Sequence, residues 1–120
     1  MRKTTALGAR GERLAAEYLG RAGLVVVDRN VRLRAGEIDL VARDGDETVF
    51  VEVKTRVGDD EVAPDEAVTD AKLVRIERLA EAYLEARDRS EDAWRVDVVA
   101  VVVNRLGRVL RIDHVRGAFL

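Results

Sequence analysis

Cysteine is absent from the 120-residue sequence, which excludes disulfide bridges and thiolate zinc sites. Aromatic residues make up only 4% of the chain, too few for an array of rings that stacks single-stranded bases. The longest apolar run, Val98–Val103, is far shorter than the ~20 residues that span a bilayer. Charged residues interrupt the N-terminal stretch, so no signal peptide is expected. We therefore expect a cytoplasmic protein that does not enter membranes.

Lysine is also scarce, because only Lys3, Lys54 and Lys72 occur among the 21 basic side chains. The remaining basic residues are arginines, which bind anions through a planar fork of donors rather than through a compact ammonium group. In a chain with this bias, each lysine is a candidate for a specific role.

Length and composition predict one domain. With 120 residues, of which 48% are hydrophobic and 37% charged, the chain can bury one core but is short for two. We expect a single globular domain over residues 1–120.

The net charge of −2 does not by itself suggest a nucleic-acid-binding protein, but the charges are unevenly distributed. Residues 1–34 contain eight basic and three acidic side chains, so the rest of the chain has an acidic excess. The basic segment is suited to a phosphate backbone, although scattered surface charge would give the same count.

Hydrophobic periodicity predicts an α/β fold with the order α-β-β-β-α-β-β, in which helices flank a mixed sheet. Strands two and three should form an antiparallel hairpin around the turn at Asp44-Gly45-Asp46. The valine-rich sixth element is typical of a strand buried on both faces. The expected elements are a helix over 4–22, strands over 24–27 (extending to 33), 37–42 and 48–55, a helix from 65 or 69 to 87, and strands over 95–103 and 108–114.

Charged residues alternate along both strands of the predicted hairpin. A turn centred between Gly45 and Asp46 places Asp39 opposite Glu52 and Glu37 opposite Lys54. Facing carboxylates destabilise a bare sheet, so this pair needs a cation or a shared proton. Oxygen ligands without cysteine favour Mg²⁺ or Mn²⁺ over zinc.

Two segments of this hairpin resemble the core of the PD-(D/E)xK nucleases, namely 36–42 and 50–56. Together with Gly11-Glu12-Arg13, Lys72 and Arg95-Val96-Asp97, they give the chain a closer resemblance to the bacterial YraN family over nearly its whole length. That family is similar to archaeal Holliday junction resolvases, and the resemblance implies a restriction-endonuclease-like fold.

The resemblance also implies roles for individual residues. Asp39 and Glu52 match the metal-binding carboxylates, Lys54 matches the lysine of the ExK motif, and Glu12 matches the glutamate that resolvases add from their first helix. The proline that often precedes the aspartate is replaced by Ile38. Glu37 is an additional acid on the same strand face and a further candidate ligand.

Ordinary structural roles compete with these assignments. Glu37 and Lys54 would also form a simple surface salt bridge, and Glu12 would pair with neighbouring basic residues. Lys72 lies on the helical row that faces the sheet, where functional and structural roles are equally expected. His114 is expected on the surface or in the closing hairpin.

The leading hypothesis is a Mg²⁺- or Mn²⁺-dependent endonuclease-like protein that hydrolyses DNA, with branched or Holliday-junction DNA as favoured substrate and a homodimer as assembly. Lys54 would assist the attacking water. The alternatives are a catalytically weak or inactive nucleic-acid-binding or scaffold protein that keeps the fold, and a purely structural protein. The residues expected to contact nucleic acid are Arg10, Arg13, Arg32, Arg34, Arg56 and Lys72.

Overall fold

The structure is a computed structural model that describes residues 6–58 and 70–118. The first two residues of the predicted first helix, Thr4 and Thr5, and the predicted start of the second helix lie outside these ranges. Where both ends are described, the elements have the predicted order and bounds within two residues of the predicted ones. They are α1 (Ala6–Arg21), β1 (Val25–Leu33), β2 (Gly36–Asp44), β3 (Glu47–Val57), α2 (Asp70–Ala86), β4 (Trp94–Val103) and β5 (Val109–Val115).

The five strands form one mixed sheet in the order β1-β2-β3-β4-β5. Adjacent strands are antiparallel except for β3 and β4, which are parallel from Thr48 beside Trp94 to Val57 beside Val103. A parallel pair needs a crossover connection, and α2 lies within this one. The predicted mixed sheet with flanking helices is confirmed.

The two helices cover opposite faces of the sheet. On one face, Ala15 and Leu19 of α1 belong to a buried cluster with strand residues Leu40, Ala42, Val49, Val51, Val99, Val101 and Val103. On the other face, α2 packs in a second buried cluster through Leu79, Ala80, Tyr83 and Leu84, with Ile38, Val41, Phe50 and Val96 from the strands. β4 contributes to both clusters, which confirms the prediction of a strand buried on both faces.

α1 ends at Arg21, and Gly23, two residues later, has a positive φ of 96°. The N–H of Leu24 donates to the carbonyl of Leu19 at 3.0 Å. This hydrogen bond satisfies a carbonyl of the last helical turn. Near the other end of α1, Gly11 lies directly on β3. A Cβ at this position would overlap Thr55 Oγ1 and lie 3.1 Å from Thr55 Cβ. The close packing of α1 on the sheet therefore depends on a glycine here.

Asp97 of β4 is fully buried, and N–H groups surround its carboxylate. Arg95 Nε lies 2.9 Å and the Gly117 N–H 3.0 Å from Oδ1, and His114 Nε2 lies 2.8 Å from Oδ2. Burial alone would raise the pKa of Asp97, but the hydrogen bonds from Arg95, Gly117 and His114 outweigh it and leave the pKa below its ordinary value. The carboxylate is therefore ionised in the neutral pH range.

His114 lies on β5 of the β4–β5 hairpin, which is one of its two predicted positions, but its side chain is buried rather than on the surface. Its side chain is 4% exposed because Tyr18 of α1 covers the ring edge-on, with ring centroids 5.5 Å apart. The Tyr18 hydroxyl also lies 3.3 Å from His114 Nδ1. Arg95 continues the network to Asp44 and Glu47 beside the β2–β3 turn, at 2.9 and 2.7 Å. Hydrogen bonding to Asp97 and these acids raises the pKa of Arg95, so its charge is permanent.

Neither helix in the described part of the chain is long and apolar enough to cross a membrane.

Candidate metal centre

Asp39 and Glu52 line the same cavity of about 340 Å³, which opens between the β2–β3 hairpin and α2. The wall on the helix side is formed by Arg75, Ile76 and Leu79. Asp39 is buried, with 7% of its surface exposed, whereas Glu52 is half-buried. The structure thus brings the two carboxylates that the sequence singled out into one cavity. Their residues are not, however, paired across the hairpin as predicted.

The predicted hairpin register is confirmed from Asp44 beside Glu47 to Leu40 beside Val51, where the recorded pairing ends. Asp39 and Glu52 are not paired across the ladder, so their predicted direct opposition was wrong. The physical reason is a side-chain contact, since Asp39 Oδ2 accepts a hydrogen bond from the Val53 N–H at 2.8 Å. The Asp39 carboxylate therefore replaces a backbone partner at this end of the hairpin, and the bond fixes its orientation.

The two oxygens of Glu52 have different surroundings. Oε1 lies 3.6 Å from the Lys72 ammonium of α2, which confirms that Lys72 faces the sheet. Oε2 is buried and has no hydrogen-bond partner in the described part of the chain. An unsatisfied buried carboxylate oxygen is costly and rare, and an ion is one of its few explanations.

Glu37 also lines the cavity, and it forms an ion pair with Arg32 of β1, 3.7 Å away. These two residues are direct partners in the β1–β2 ladder. The recorded β2–β3 pairing ends before Glu37 and Lys54, so their predicted opposition stays a prediction, while β1 supplies Arg32 from the opposite side of β2. Lys54 lies on β3 two residues beyond Glu52 and is half-buried.

Glu12 is buried on α1 and lines a different cleft, of about 310 Å³, together with Arg13, Arg29 and Leu40. It is not among the residues that line the cavity of Asp39 and Glu52. Its role in supporting a metal stays a prediction from the family resemblance. Among residues 6–58 and 70–118, no three Asp, Glu, His or Cys side chains form a group spaced for a metal ion.

The donor set at the cavity fits a hard divalent cation. Mg²⁺ is commonly held by one or two carboxylates, with waters or substrate phosphates completing its shell, so a third protein carboxylate is not required. The partnerless Oε2 of Glu52 supplies an available oxygen beside the oriented carboxylate of Asp39. These observations support Asp39 and Glu52 as ligands and do not extend to Glu12 or Glu37.

The predicted nucleic-acid contacts lie in several parts of the structure. Arg10 donates a hydrogen bond to the Gly107 carbonyl in the β4–β5 turn, which gives it a structural role. Arg13 and Arg34 are exposed, and the side chain of Arg32 is 59% exposed despite its ion pair. Arg56 is half-buried on β3. The predicted contact residues therefore differ in exposure, and Arg13, Arg32 and Arg34 are the exposed ones.

Sequence reasoning missed the helix wall of the cavity. Lys72, Ile76 and Leu79 have the four- and three-residue spacing of one helix face, so this periodicity was a usable signal. Arg75, which also lines the cavity, lies three residues after Lys72 and four before Leu79 and therefore shares this periodicity. The Asp97–His114 hydrogen bond was not predicted either, because it depends on the pairing of β4 with β5.

Comparison with known proteins places the chain in a family. The model of "Uncharacterised protein family UPF0102" matches residues 11–101. A UPF0102 protein of Beutenbergia cavernae is 50% identical over 117 residues, covering 98% of both chains. One of Rhodococcus opacus is 50% identical over 119 residues, covering 99% of this chain and 100% of its own. One of Pelotomaculum thermopropionicum is 42% identical over 113 residues, covering 94% of each.

These matches span the hairpin, both helices and most of β4, and they confirm the YraN-type resemblance at the level of the family. The chain belongs to the UPF0102 family.

Proposed function

We propose that this protein is a metal-dependent, endonuclease-like protein that hydrolyses phosphodiester bonds of DNA. The observation that carries the proposal is the pair of carboxylates in one cavity. Asp39 is oriented by the Val53 N–H, and Glu52 has a buried Oε2 with no hydrogen-bond partner among the described residues. Asp39 and Glu52 would hold Mg²⁺ or Mn²⁺. A bound ion of this kind supplies Lewis-acid stabilisation of the phosphate and a lower pKa for a bound water.

The chain's own residues prepare this site in three ways. The Val53 N–H keeps the Asp39 carboxylate turned toward β3. Ile76 and Leu79 form an apolar wall that limits access of bulk water. Lys54 and Lys72 place ammonium groups on the two elements that border Glu52, where they favour the negative charge of a phosphate.

DNA is the proposed substrate because the exposed arginines of the N-terminal segment are suited to backbone phosphates. Branched DNA is the favoured form by analogy with resolvases, which is an argument from fold likeness. Symmetric cutting of two strands would require two active sites, and a homodimer is part of the proposal for that reason. The cytoplasm is the proposed location, because bacterial DNA is found there. A chain without cysteine also suits a compartment that keeps thiols reduced.

The test is cleavage of a labelled four-way junction in Mg²⁺ or Mn²⁺ by the parent, Glu52→Ala and Glu17→Ala. Glu17 is an exposed glutamate on α1 and serves as the matched control. We expect cleavage by the parent and by Glu17→Ala, and loss of at least about a hundredfold in Glu52→Ala, the scale of a lost catalytic group. Equal cleavage by the parent and Glu52→Ala would overturn the assignment.

A second candidate function is nucleic-acid binding without cleavage, as an inactive or scaffold protein. It is favoured by Lys72, whose ammonium already offsets part of the charge of Glu52. It is also favoured by the lack of a three-carboxylate group among the described residues. Calorimetry that detects no Mn²⁺ binding, together with DNA affinity unchanged in Asp39→Asn, would select this function over the nuclease.

A further inference from the structure

A second cavity, of about 430 Å³, lies at the opposite end of α2 from Lys72. It is bordered by β1, β2, β3 and the segment that follows α2, and three arginines line it: Arg43, Arg87 and Arg89. None of the three was singled out from the sequence. The cavity contains Val41 and Tyr83 of the α2-side cluster, so it lies on the same sheet face as α2.

The charges around this cavity are incompletely matched. Arg87 has its own partner, since its Nη2 lies 2.7 Å from Asp28 Oδ2. Arg43 and Arg89 instead share Asp92, at 3.5 and 3.8 Å from the same oxygen. One carboxylate cannot neutralise two guanidinium groups, and both distances are long for a charge-assisted hydrogen bond. Arg43 and Arg89 therefore retain donor capacity.

The Arg43 side chain and the backbone at Arg89 are held in place before any ligand arrives. Arg43 Nη1 also donates to Thr48 Oγ1 at 3.2 Å. The Arg89 N–H donates to the Leu84 carbonyl at 2.8 Å, and the left-handed Asp88 ends α2 just before it. Arg87 stacks on the Tyr83 ring at 3.7 Å and donates to the Tyr83 carbonyl, so its role is to close the helix end. Preorganised donors lose less entropy when they bind an anion.

The cavity has a fixed relation to the candidate metal centre. Arg43 follows Asp39 by four residues on β2, and Thr48 precedes Glu52 by four residues on β3. Four residues of strand span about 13 Å, and both cavities contain residues of the α2-side cluster. At 3.4 Å per nucleotide along a duplex axis, that separation corresponds to about four nucleotides.

We propose that Arg43 and Arg89 form a binding site for a backbone phosphate of the nucleic acid, about four nucleotides from the phosphate at Asp39 and Glu52. This inference rests on the proposed function, because it assumes a nucleic-acid ligand. Arginine suits the task, since its planar fork donates two parallel hydrogen bonds to phosphate oxygens.

The test is the salt dependence of DNA binding, measured by fluorescence anisotropy with a labelled four-way junction in EDTA, which prevents cleavage. The variants are Arg43→Gln/Arg89→Gln and, as a matched control, Arg111→Gln. Arg111 is an exposed arginine on β5 with its own partner, Asp113, at 2.9 Å. For the double glutamine variant we expect about tenfold weaker binding at low salt and a slope of log K against log salt reduced by about 0.9, the value for one phosphate contact.

Arg43→Lys/Arg89→Lys keeps the positive charges and should retain the parental slope, which separates loss of charge from loss of folding. If the parent binds DNA and the double glutamine variant has the parental affinity and slope, the inference is overturned while the proposed function stands. If the parent does not bind DNA at all, both are overturned. Calorimetry with inorganic phosphate forms a further arm: phosphate binding lost in the double glutamine variant, with unchanged DNA binding, would show a free-anion site and overturn the nucleic-acid assignment.

Discussion

The hydrogen bonds around Asp97 permit a stability prediction that does not depend on function. Asp97→Asn preserves shape but replaces an acceptor oxygen with an NH₂ group in a fully buried site. The surrounding groups are the N–H donors of Arg95, Gly117 and His114, so the new NH₂ must face a donor unless His114 changes tautomer. The substitution also leaves the Arg95 guanidinium without its buried counter-charge.

Removing one partner of a buried ion pair costs about 3–5 kcal/mol. Asp44 and Glu47 still bind Arg95, so we expect the lower end, about 3 kcal/mol. With a urea m-value of about 2 kcal/mol/M, the unfolding midpoint at pH 7 should fall by about 1.5 M.

The matched control is Asp113→Asn, which breaks a comparably short contact to Arg111 on β5. The Asp113 side chain is 49% exposed, so its loss should cost at most about 1 kcal/mol. Equal shifts of the urea midpoint in Asp97→Asn and Asp113→Asn would refute the reasoning, because burial would then make no difference.

Three further predictions concern pH, packing and the cavity. The pKa of Asp97 lies below its ordinary value of 3.8, so its stabilising effect is present above that pH and is lost as the pH falls through the lower folded-state value. The stability difference between the parent and Asp97→Asn should thus be constant from pH 7 to about pH 5 and shrink below about pH 4 in urea titrations. Gly11→Ala should cost about 1–3 kcal/mol through overlap with Thr55, and Thr55→Ala should recover part of it; a double-mutant cycle without coupling would contradict this. Lys72→Gln should tighten Mn²⁺ binding about three- to tenfold in calorimetry, because the ammonium beside Glu52 repels the ion; equal or weaker binding would argue against such competition.

The fold was largely predictable because its elements have clear hydrophobic periods. The alternation along 37–42 and 48–55, with Gly45 and Asp46 at the turn, was enough to give the correct register between Leu40 and Val51. Where the register prediction failed, at Asp39, a side chain took the place of a backbone acceptor. An alternating sequence pattern predicts that strand pairing continues beyond Leu40. It contains no information on whether a side chain will replace a backbone acceptor.

The candidate site was predictable only in part, since several contacts depend on tertiary packing. Asp39 and Glu52 line one cavity because they lie on the two strands of one local hairpin. The contact of Lys72 with Glu52 depends on the docking of α2, and the pairing of Glu37 with Arg32 depends on β1 adding to the other edge of β2. Neither distance along the chain nor residue type shows that Lys72 contacts Glu52 or that Arg32 contacts Glu37.

The central claim is that the carboxylates of Asp39 and Glu52 bind one divalent metal ion. The most direct measurement is an anomalous difference map from crystals of the protein soaked in MnCl₂, with data collected at the manganese absorption edge. The account predicts a single strong peak in contact with both carboxylates, and its loss in crystals of Glu52→Gln soaked in the same way. An absence of any peak at the cavity under saturating Mn²⁺, or an unchanged peak in Glu52→Gln, would contradict it.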